Sequence, residues 1–472
     1  MRLMMRLVEA AQALGAQALN GDAEILRVST DTRSIVVGDL FIAIKGERFD
    51  GHDFVEAAYQ QGAAAVMVAR DWAAGHSLSQ PAMVVEDTRL ALGQLAAWWR
   101  SRFAIPLIGI TGSNGKTTVK EMTAAILRAQ AHADGFGDDS VLATTGNLNN
   151  DIGLPLMLLR LRQTHRYAVI EMGMNHAGEI RYLTRLARPT VALVNNAQRA
   201  HLAGLGSVGD VARAKGEIFE GLEDGGTAII NADDTYASLW RECNAGIAGR
   251  QLLSFGLSQA ADVSAHCELH ALGSTLNIAM PQGTLEVVLS APGLHNARNA
   301  LAAMAAALAA GATLAAVHTG LLAFSGVKGR LQIRPALDGA TLIDDSYNAN
   351  PDSVRAAIDV LAATPGKKIL VLGDMGEIGD RAGQFHDEIG GYAKSQGVDL
   401  LFTLGEQSEV AAHNFGPGGS HYAAADALIA AISGNLDAHT VVLVKGSRFM
   451  RMERIADALS VDGGAEPTEP GH

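Results

Sequence analysis

Short runs of consecutive apolar residues, separated by stretches in which apolar residues recur every three or four positions, dominate this chain. The runs at 106–110, 167–171, 191–194 and 227–231 predict buried strands, and the periodic stretches between most of them predict helices. Strands apolar on both faces that alternate with helices define a parallel sheet covered on both sides. A smaller α/β unit precedes them, with a strand over 40–44, a loop over 45–54 and a helix from Val55. The stretch 252–289 alternates polar and apolar residues around Gly273 and Pro281-Gln-Gly283, which predicts an antiparallel extension of the sheet. An Ala-rich helix follows over 295–308, with Leu301, Met304 and Leu308 on its core face and Gly311 as its C-cap. A further set of strands, at 341–345, 368–372, 400–404 and 441–444, then repeats the α/β pattern. We place boundaries so that domains span 1–84, 85–316 and 317–461, with a polar, Gly- and Pro-rich tail, 462–472, expected to be disordered.

The first central strand ends in Gly109-Ile-Thr-Gly-Ser-Asn-Gly-Lys-Thr-Thr118 and a helix begins directly after it. Strand, glycine loop and helix form a phosphate cradle. Backbone N–H groups of Gly109, Thr111, Gly112, Ser113, Asn114, Gly115 and Thr118 can converge on an anion at a helix N-terminus. Lys116 can reach the terminal phosphates, and Thr117 can place a hydroxyl on Mg²⁺. The usual pattern has its first glycine where this chain has Ile110, and Gly109 and Gly112 supply the freedom instead. Glu171 leaves a strand end into a glycine turn and is a second candidate metal ligand, although an acid there also caps helices. By spacing alone His201 is a polar loop residue and Lys215 an ordinary surface lysine. Thr145, Asn147, Asn149 and Asn150 are either turn residues or the lining of a sugar or peptide site. Lys45, Arg48, Asp50 and His52 either hold a polar ligand or form a solvated hairpin.

Composition narrows this further. The chain has 472 residues, room for about three domains. A net charge of -13 argues against nucleic-acid binding, which draws on an excess of Lys and Arg. Two unpaired cysteines, Cys243 and Cys267, point to a reducing compartment. The first fifteen residues read as an amphipathic helix rather than a signal peptide, and no apolar run reaches the length of a membrane span. A cytoplasmic protein with no membrane partner is therefore expected.

Together these segments resemble the Mur ligase family of ATP-dependent peptidoglycan ligases, which share a fold with folylpolyglutamate synthase. The resemblance is carried by the phosphate loop, Glu171-Met-Gly, His201, Lys215, His295-Asn-Ala-Arg-Asn299, Gly329-Arg330, Asp344-Asp-Ser-Tyr-Asn-Ala-Asn-Pro351 and Lys445-Gly-Ser-Arg448, in the family's order. Asp345-Ser-Tyr-Asn-Ala-Asn-Pro351, Thr145-Gly-Asn-Leu-Asn-Asn150, Leu372-Gly-Asp-Met-Gly-Glu-Ile-Gly379 and Ala214-Lys-Gly-Glu217 resemble the member that adds D-alanyl-D-alanine to UDP-N-acetylmuramoyl-tripeptide. The resemblance implies a three-domain α/β fold: a central phosphate-loop, parallel-sheet ATPase domain flanked by a small N-terminal UDP-substrate-binding domain and a C-terminal Rossmann-like domain. It also implies ATP and two Mg²⁺ ions, with Thr117 and Glu171 on one metal, His201 on a second, and a carbamate on Lys215. Lys116, Glu171, His201 and Lys215 would carry the catalytic chemistry. His295, Asn296, Asn299, Arg330 and Asp345 would face the nucleotide. Ser29, Lys45, Asp50 and His52 would face the uridine diphosphate, and Tyr347, Asn348 and Asn350 the incoming dipeptide. A monomer is expected, and the alternatives are another Mur-type amino acid ligase or folylpolyglutamate synthase.

Overall fold

The central apolar runs become the strands of one sheet in the computed structural model, which describes residues 3–47 and 49–461. We number these strands β1 (Leu107–Thr111), β2 (Val141–Ala143), β3 (Tyr167–Glu171), β4 (Val191–Val194), β5 (Thr227–Asn231), β6 (Gln251–Gly256), β7 (Val263–His270), β8 (Gly273–Met280) and β9 (Gly283–Leu289). Their spatial order is β9-β8-β7-β6-β5-β4-β1-β3-β2. β1 pairs in parallel with both β3 and β4, and the chain leaves it toward opposite sides. Such a switch point opens a crevice at the carboxyl ends of the strands, where the loops after β1, β3 and β4 meet. Side chains alternate across β1: Ile108 and Ile110 join one buried cluster, while Leu107 joins the other.

The antiparallel extension is correct for β7, β8 and β9 and wrong for β6. β6 pairs in parallel with β5, and β7 continues in parallel from β6 through Phe255↔Val263 and Gly256↔Ser264. Alternation of polar and apolar residues reports which face a side chain takes, not the direction of the neighbouring strand.

Helix α1 (Lys116–Ala133) covers one face of the sheet with α2 (Leu294–Ala309) and α3 (Leu314–Leu322). Small side chains let these helices touch almost backbone to backbone. A Cβ on Gly320 would lie 2.4 Å from Ile126 Cα. The boundary expected between 316 and 317 therefore falls inside a helix that packs with the central unit. The boundary expected after residue 84 likewise falls one residue short of the end of the strand Ala82–Val85.

Upstream, the strands run in the order Gln17–Leu19, Ala82–Val85, Ala65–Ala69, Asp39–Ile42 and Arg27–Ser29, parallel except for the first pair. The expected N-terminal helix is shorter: Met5–Arg6 is extended and pairs with Glu24–Ile25, and Leu7–Leu14 is helical up to Gly15, whose φ of 62° ends it. Downstream, Gln332–Pro335, Thr341–Asp345, Thr440–Lys445, Lys367–Gly373, Leu400–Leu404 and Gly419–Tyr422 form a separate six-stranded sheet, parallel except for the first pair. Arg48 and the tail 462–472 lie outside the described residues. Among the described residues no helix is long and apolar enough to cross a membrane.

Candidate active site

A cleft of ≈ 1540 Å³ opens at the switch point and is walled by all three segments. Glycine is required at the turn into α1. Gly115 has φ 78°, and a Cβ there would lie 2.4 Å from Asn299 Oδ1 and 2.7 Å from Asn195 Nδ2. Amides brace the loop from behind. Asn195 Nδ2 donates to Asn114 O at 2.9 Å and to Asn299 Oδ1 at 2.9 Å, and Asn196 Oδ1 accepts from Asn114 N at 2.8 Å. Asn299 Nδ2 donates to Asn296 Oδ1 at 3.1 Å, and Asn296 Nδ2 donates to Pro292 O at 2.8 Å, tying α2 to the same network. The shape of the loop is thereby held by the protein's own amides.

At the end of the loop Lys116 folds back and donates to Gly112 O at 2.7 Å and Ser113 O at 3.3 Å. Burial lowers its pKa, against the pull of Glu171. Thr117 Oγ1 donates to Glu171 Oε2 at 2.9 Å, and Asn149 Nδ2 donates to Glu171 Oε1 at 2.8 Å. Glu171 is buried at 3% exposure, and its N–H is held by Thr144 Oγ1 at 2.9 Å. A hydroxyl and a carboxylate side by side at a phosphate loop are hard oxygen donors of the kind Mg²⁺ takes.

His201 sits in the left-handed region, φ 57°, with Nδ1 3.1 Å from Glu377 Oε2 of the last segment. Burial lowers its pKa, and the charges of Lys116 and Lys215 add to the effect while Glu377 opposes it. Lys215 is 1% exposed on the helix Val208–Gly216, not on the surface as its spacing suggested. Its pKa lies well below the ordinary lysine value because burial disfavours the ammonium and Lys116 repels it. Among the described residues no three His, Cys, Asp or Glu side chains converge on a metal position.

From the last segment, Lys445 Nζ donates to Asp345 Oδ2 at 2.5 Å and to Asn348 O at 2.8 Å. Arg330 stacks on Tyr347, its guanidinium carbon 4.3 Å from the ring centre. His295 lines the cleft, and burial with the charges of Lys445 and Arg298 pushes its pKa down to about 4. Asn350 caps the helix Pro351–Ala362 and donates through Nδ2 to Asn114 Oδ1 at 2.7 Å, so it meets the phosphate loop itself. Arg199 binds Asp352 through Nη2 at 2.6 Å and Nε at 2.8 Å.

Not every candidate reaches the cleft. Gly109 is a buried strand residue whose absent side chain leaves room for Met172 and Pro189, and Thr111 Oγ1 is spent on Met172 O at 2.9 Å. Gly112 lies behind the loop, against Asn195. Ser113, Asn114, Gly115, Lys116, Thr117 and Thr118 line the cleft, as do Asn147, Asn149 and Asn150, while Thr145 turns away to Arg160 Nη1 at 2.9 Å. Ser29, Lys45, Asp50 and His52 lie outside the lining. Both ring nitrogens of His52 are engaged, Nδ1 with Asp50 Oδ1 at 2.6 Å and Nε2 with Ala69 N at 3.0 Å, so this histidine braces its own domain. Asn195, Asn196, Glu377 and Lys445 were missed as site residues. Glu377 and Lys445 lie inside two of the segments that carry the family resemblance, 372–379 and 445–448, whereas Asn195 and Asn196 had only their place after a strand end as a signal.

A nucleotide loop at a sheet switch point, closed over by a second α/β domain, defines a nucleotide-dependent enzyme of modular build. Three family models match the chain in sequence: the Mur ligase family catalytic domain over 24–100, the Mur ligase middle domain over 110–307 and the Mur ligase glutamate ligase domain over 329–448. The chain belongs to the Mur ligase family. It is 42% identical over 465 residues, 98% of this chain and 99% of its relative, to the UDP-N-acetylmuramoyl-tripeptide--D-alanyl-D-alanine ligase of Escherichia coli (strain K12). Its fold is similar to the crystal structure of MurF from Acinetobacter baumannii, with a TM-score of 0.86, 35% identity and coverage of 96% of this chain and 98% of that one. It is also similar to the MurF ligase of Thermotoga maritima in complex with ADP, with a TM-score of 0.79, 26% identity and coverage of 93% and 97%.

Proposed function

We propose that this chain is the ATP-dependent ligase that joins D-alanyl-D-alanine to UDP-N-acetylmuramoyl-tripeptide in peptidoglycan synthesis, releasing ADP and phosphate. The observation that carries this reading is identity of 42% along nearly the whole length of a ligase with that name, together with a braced phosphate loop in a cleft walled by all three segments.

The chemistry begins with a repulsion. The terminal carboxylate of the tripeptide must attack the γ-phosphate of ATP, and both are anions. Lys116 is the cation at the loop, and its bonds to Gly112 O and Ser113 O are ones a phosphate oxygen can replace. The Thr117 hydroxyl and the Glu171 carboxylate fit one Mg²⁺, which when bound supplies positive charge to the phosphates. They are too few to hold it without the triphosphate. Attack breaks the bond between the γ-phosphorus and the bridging oxygen, ADP leaves, and an acyl phosphate remains. The amine of D-alanyl-D-alanine then adds to the acyl carbon, and phosphate departs as the amide forms. An α-amine has a pKa of about 8, so part of it is already neutral and no strong base is needed. Asn114, Asn350, Arg199 and Asp352 close the last segment over the loop, which keeps water from the acyl phosphate.

His201 and Lys215 are read as the holders of a second Mg²⁺. Buried, and without a carboxylate in ion-pairing distance among the described residues, Lys215 favours the neutral amine. A neutral amine adds CO₂ and loses a proton, giving a carbamate whose oxygens suit a hard cation. We place the reaction in the cytoplasm and read the chain as a monomer.

The test is phosphate release on mixing ATP with each candidate pair. UDP-N-acetylmuramoyl-tripeptide with D-alanyl-D-alanine is expected to release phosphate stoichiometrically with product. Faster release with the dipeptide precursor plus a diamino acid, or with folate plus glutamate, would overturn the assignment in favour of another ligase of this fold.

A further inference from the structure

A lysine at 2% exposure inside a helix is costly unless its ammonium is engaged, and Lys120 of α1 is such a residue. Its Nζ donates to the Thr144 carbonyl at 2.5 Å and lies 2.6 Å from Glu121 Oε1. Thr144 stands directly after β2. Its N–H donates to Val169 O at 3.0 Å, and its hydroxyl accepts the Glu171 N–H at 2.9 Å. Lys120 is one turn beyond Thr117 and shares its side of the helix. The helix thus reaches the strand ends by two rungs: Thr117 meets the Glu171 carboxylate, and Lys120 meets the threonine that holds the backbone of the same residue. Thr144 also opens the segment that carries Asn149, which donates to the other oxygen of Glu171 at 2.8 Å.

We propose that Lys120 is a positioning residue. By clamping the Thr144 carbonyl it sets the depth and direction from which Glu171 presents its carboxylate beside Thr117, and it locks the 145–150 segment to the helix of the nucleotide loop. The proposal rests on the reading of Glu171 as a metal ligand. Lys120→Met keeps the volume and takes away the donor. Thr144→Val keeps the shape and takes away the acceptor of the Glu171 N–H.

The test measures equilibrium binding of Mn²⁺ in the presence of ADP by electron paramagnetic resonance, without turnover, and then steady-state kinetics. Outer-shell partners of metal ligands are worth about 10- to 100-fold in affinity. In both variants the Kd for Mn²⁺ is expected to rise about tenfold and kcat to fall, while metal-free ADP affinity and the KM for D-alanyl-D-alanine stay within about twofold of the parent. A merely structural role would lower the active fraction and leave the Mn²⁺ Kd of the folded protein at the parental value, and that result overturns the proposal. Should Lys120→Met fail to fold, Lys120→Arg, which keeps the charge but changes the reach of the donor to the Thr144 carbonyl, carries the same expectation. Glu171→Gln separates the two levels. Parental metal binding in Glu171→Gln would overturn the ligand reading and the proposal with it. Weakened binding in Glu171→Gln but parental binding in Lys120→Met overturns the proposal alone, whatever Thr144→Val shows.

Discussion

Removing the Arg199 side chain is expected to loosen the last segment from the central sheet. The guanidinium reaches Asp352 Oδ1 through Nη2 at 2.6 Å and Nε at 2.8 Å, and reaches Glu388 Oε2 through Nη1 at 3.2 Å. Each hydrogen bond to a charged group in a buried place contributes about 1.5–3 kcal/mol, whereas exposed ion pairs contribute about 0–1 kcal/mol. Arg199 and Asp352 side chains are 25% and 24% exposed, between those limits, and the Glu388 contact is longer and more open at 33%. The backbone N–H of Arg199 keeps its 2.8 Å bond to Asp352 Oδ2 after substitution, so part of the contact survives. Arg199→Ala is therefore expected to cost about 1.5–2.5 kcal/mol of docking, a shift of about 10- to 60-fold toward the undocked arrangement. Fluorescence energy transfer between dyes on the central and last segments reads that shift, and phosphate release reads its effect on kcat/KM. Arg199→Lys is expected to restore only part of either, because an ammonium cannot reproduce the two-pronged contact. If Arg199→Ala left the transfer distribution and kcat/KM within twofold of the parent, the reasoning that this contact holds the cleft closed would be refuted.

Gly115→Ala is expected to abolish nucleotide binding while the fold survives, since its Cβ meets Asn299 Oδ1 at 2.4 Å and φ 78° adds about 1–2 kcal/mol of strain; a fluorescent ADP analogue titrated into the variant checks it. Lys116→Ala is expected to lose ligation with its melting temperature held, and joining of the two peptides at the parental rate would contradict it. ¹³C-bicarbonate is expected to give a carbamate resonance that is absent from Lys215→Arg. For His295 the folded-state pKa of about 4 lies below the ordinary 6.5, so between these values the unfolded chain binds the extra proton. The stability that its neutral form provides is complete above pH 6.5 and is lost as pH falls toward 4. Urea unfolding of the parent and of His295→Gln across that window is expected to show their difference growing with pH, by up to about 1.4 kcal/mol per unit.

The strands Tyr167–Glu171, Val191–Val194, Thr227–Asn231, Thr341–Asp345 and Leu400–Leu404 were legible to the residue because each is a short apolar run cut off by polar or glycine residues. The turn from strand into helix at Gly115 was legible for the same local reason, although Gly109, Thr111 and Gly112, grouped with it as candidates, do not line the cleft. What could not be read was whatever depends on residues far apart in the chain. Asn195 and Asn299 are 104 positions apart and meet behind Gly115, and neither differs in type from an ordinary loop amide. Lys215 looked exposed because a helix of nine residues shows which faces differ, not what packs on them. His52 has the composition of a ligand-binding loop, but its ring nitrogens serve Asp50 and Ala69, a pairing set by the tertiary fold. The boundary placed at 316 divides α3 because an Ala-rich helix ending in Gly311 gives no sign that the next helix returns to the same core.

The central claim is that the tripeptide carboxylate is activated by taking the γ-phosphoryl group. With both oxygens of that carboxylate labelled with ¹⁸O, a single turnover in the presence of ATP, Mg²⁺ and D-alanyl-D-alanine is predicted to release phosphate carrying one ¹⁸O atom. Unlabelled phosphate released alongside the amide would contradict the account.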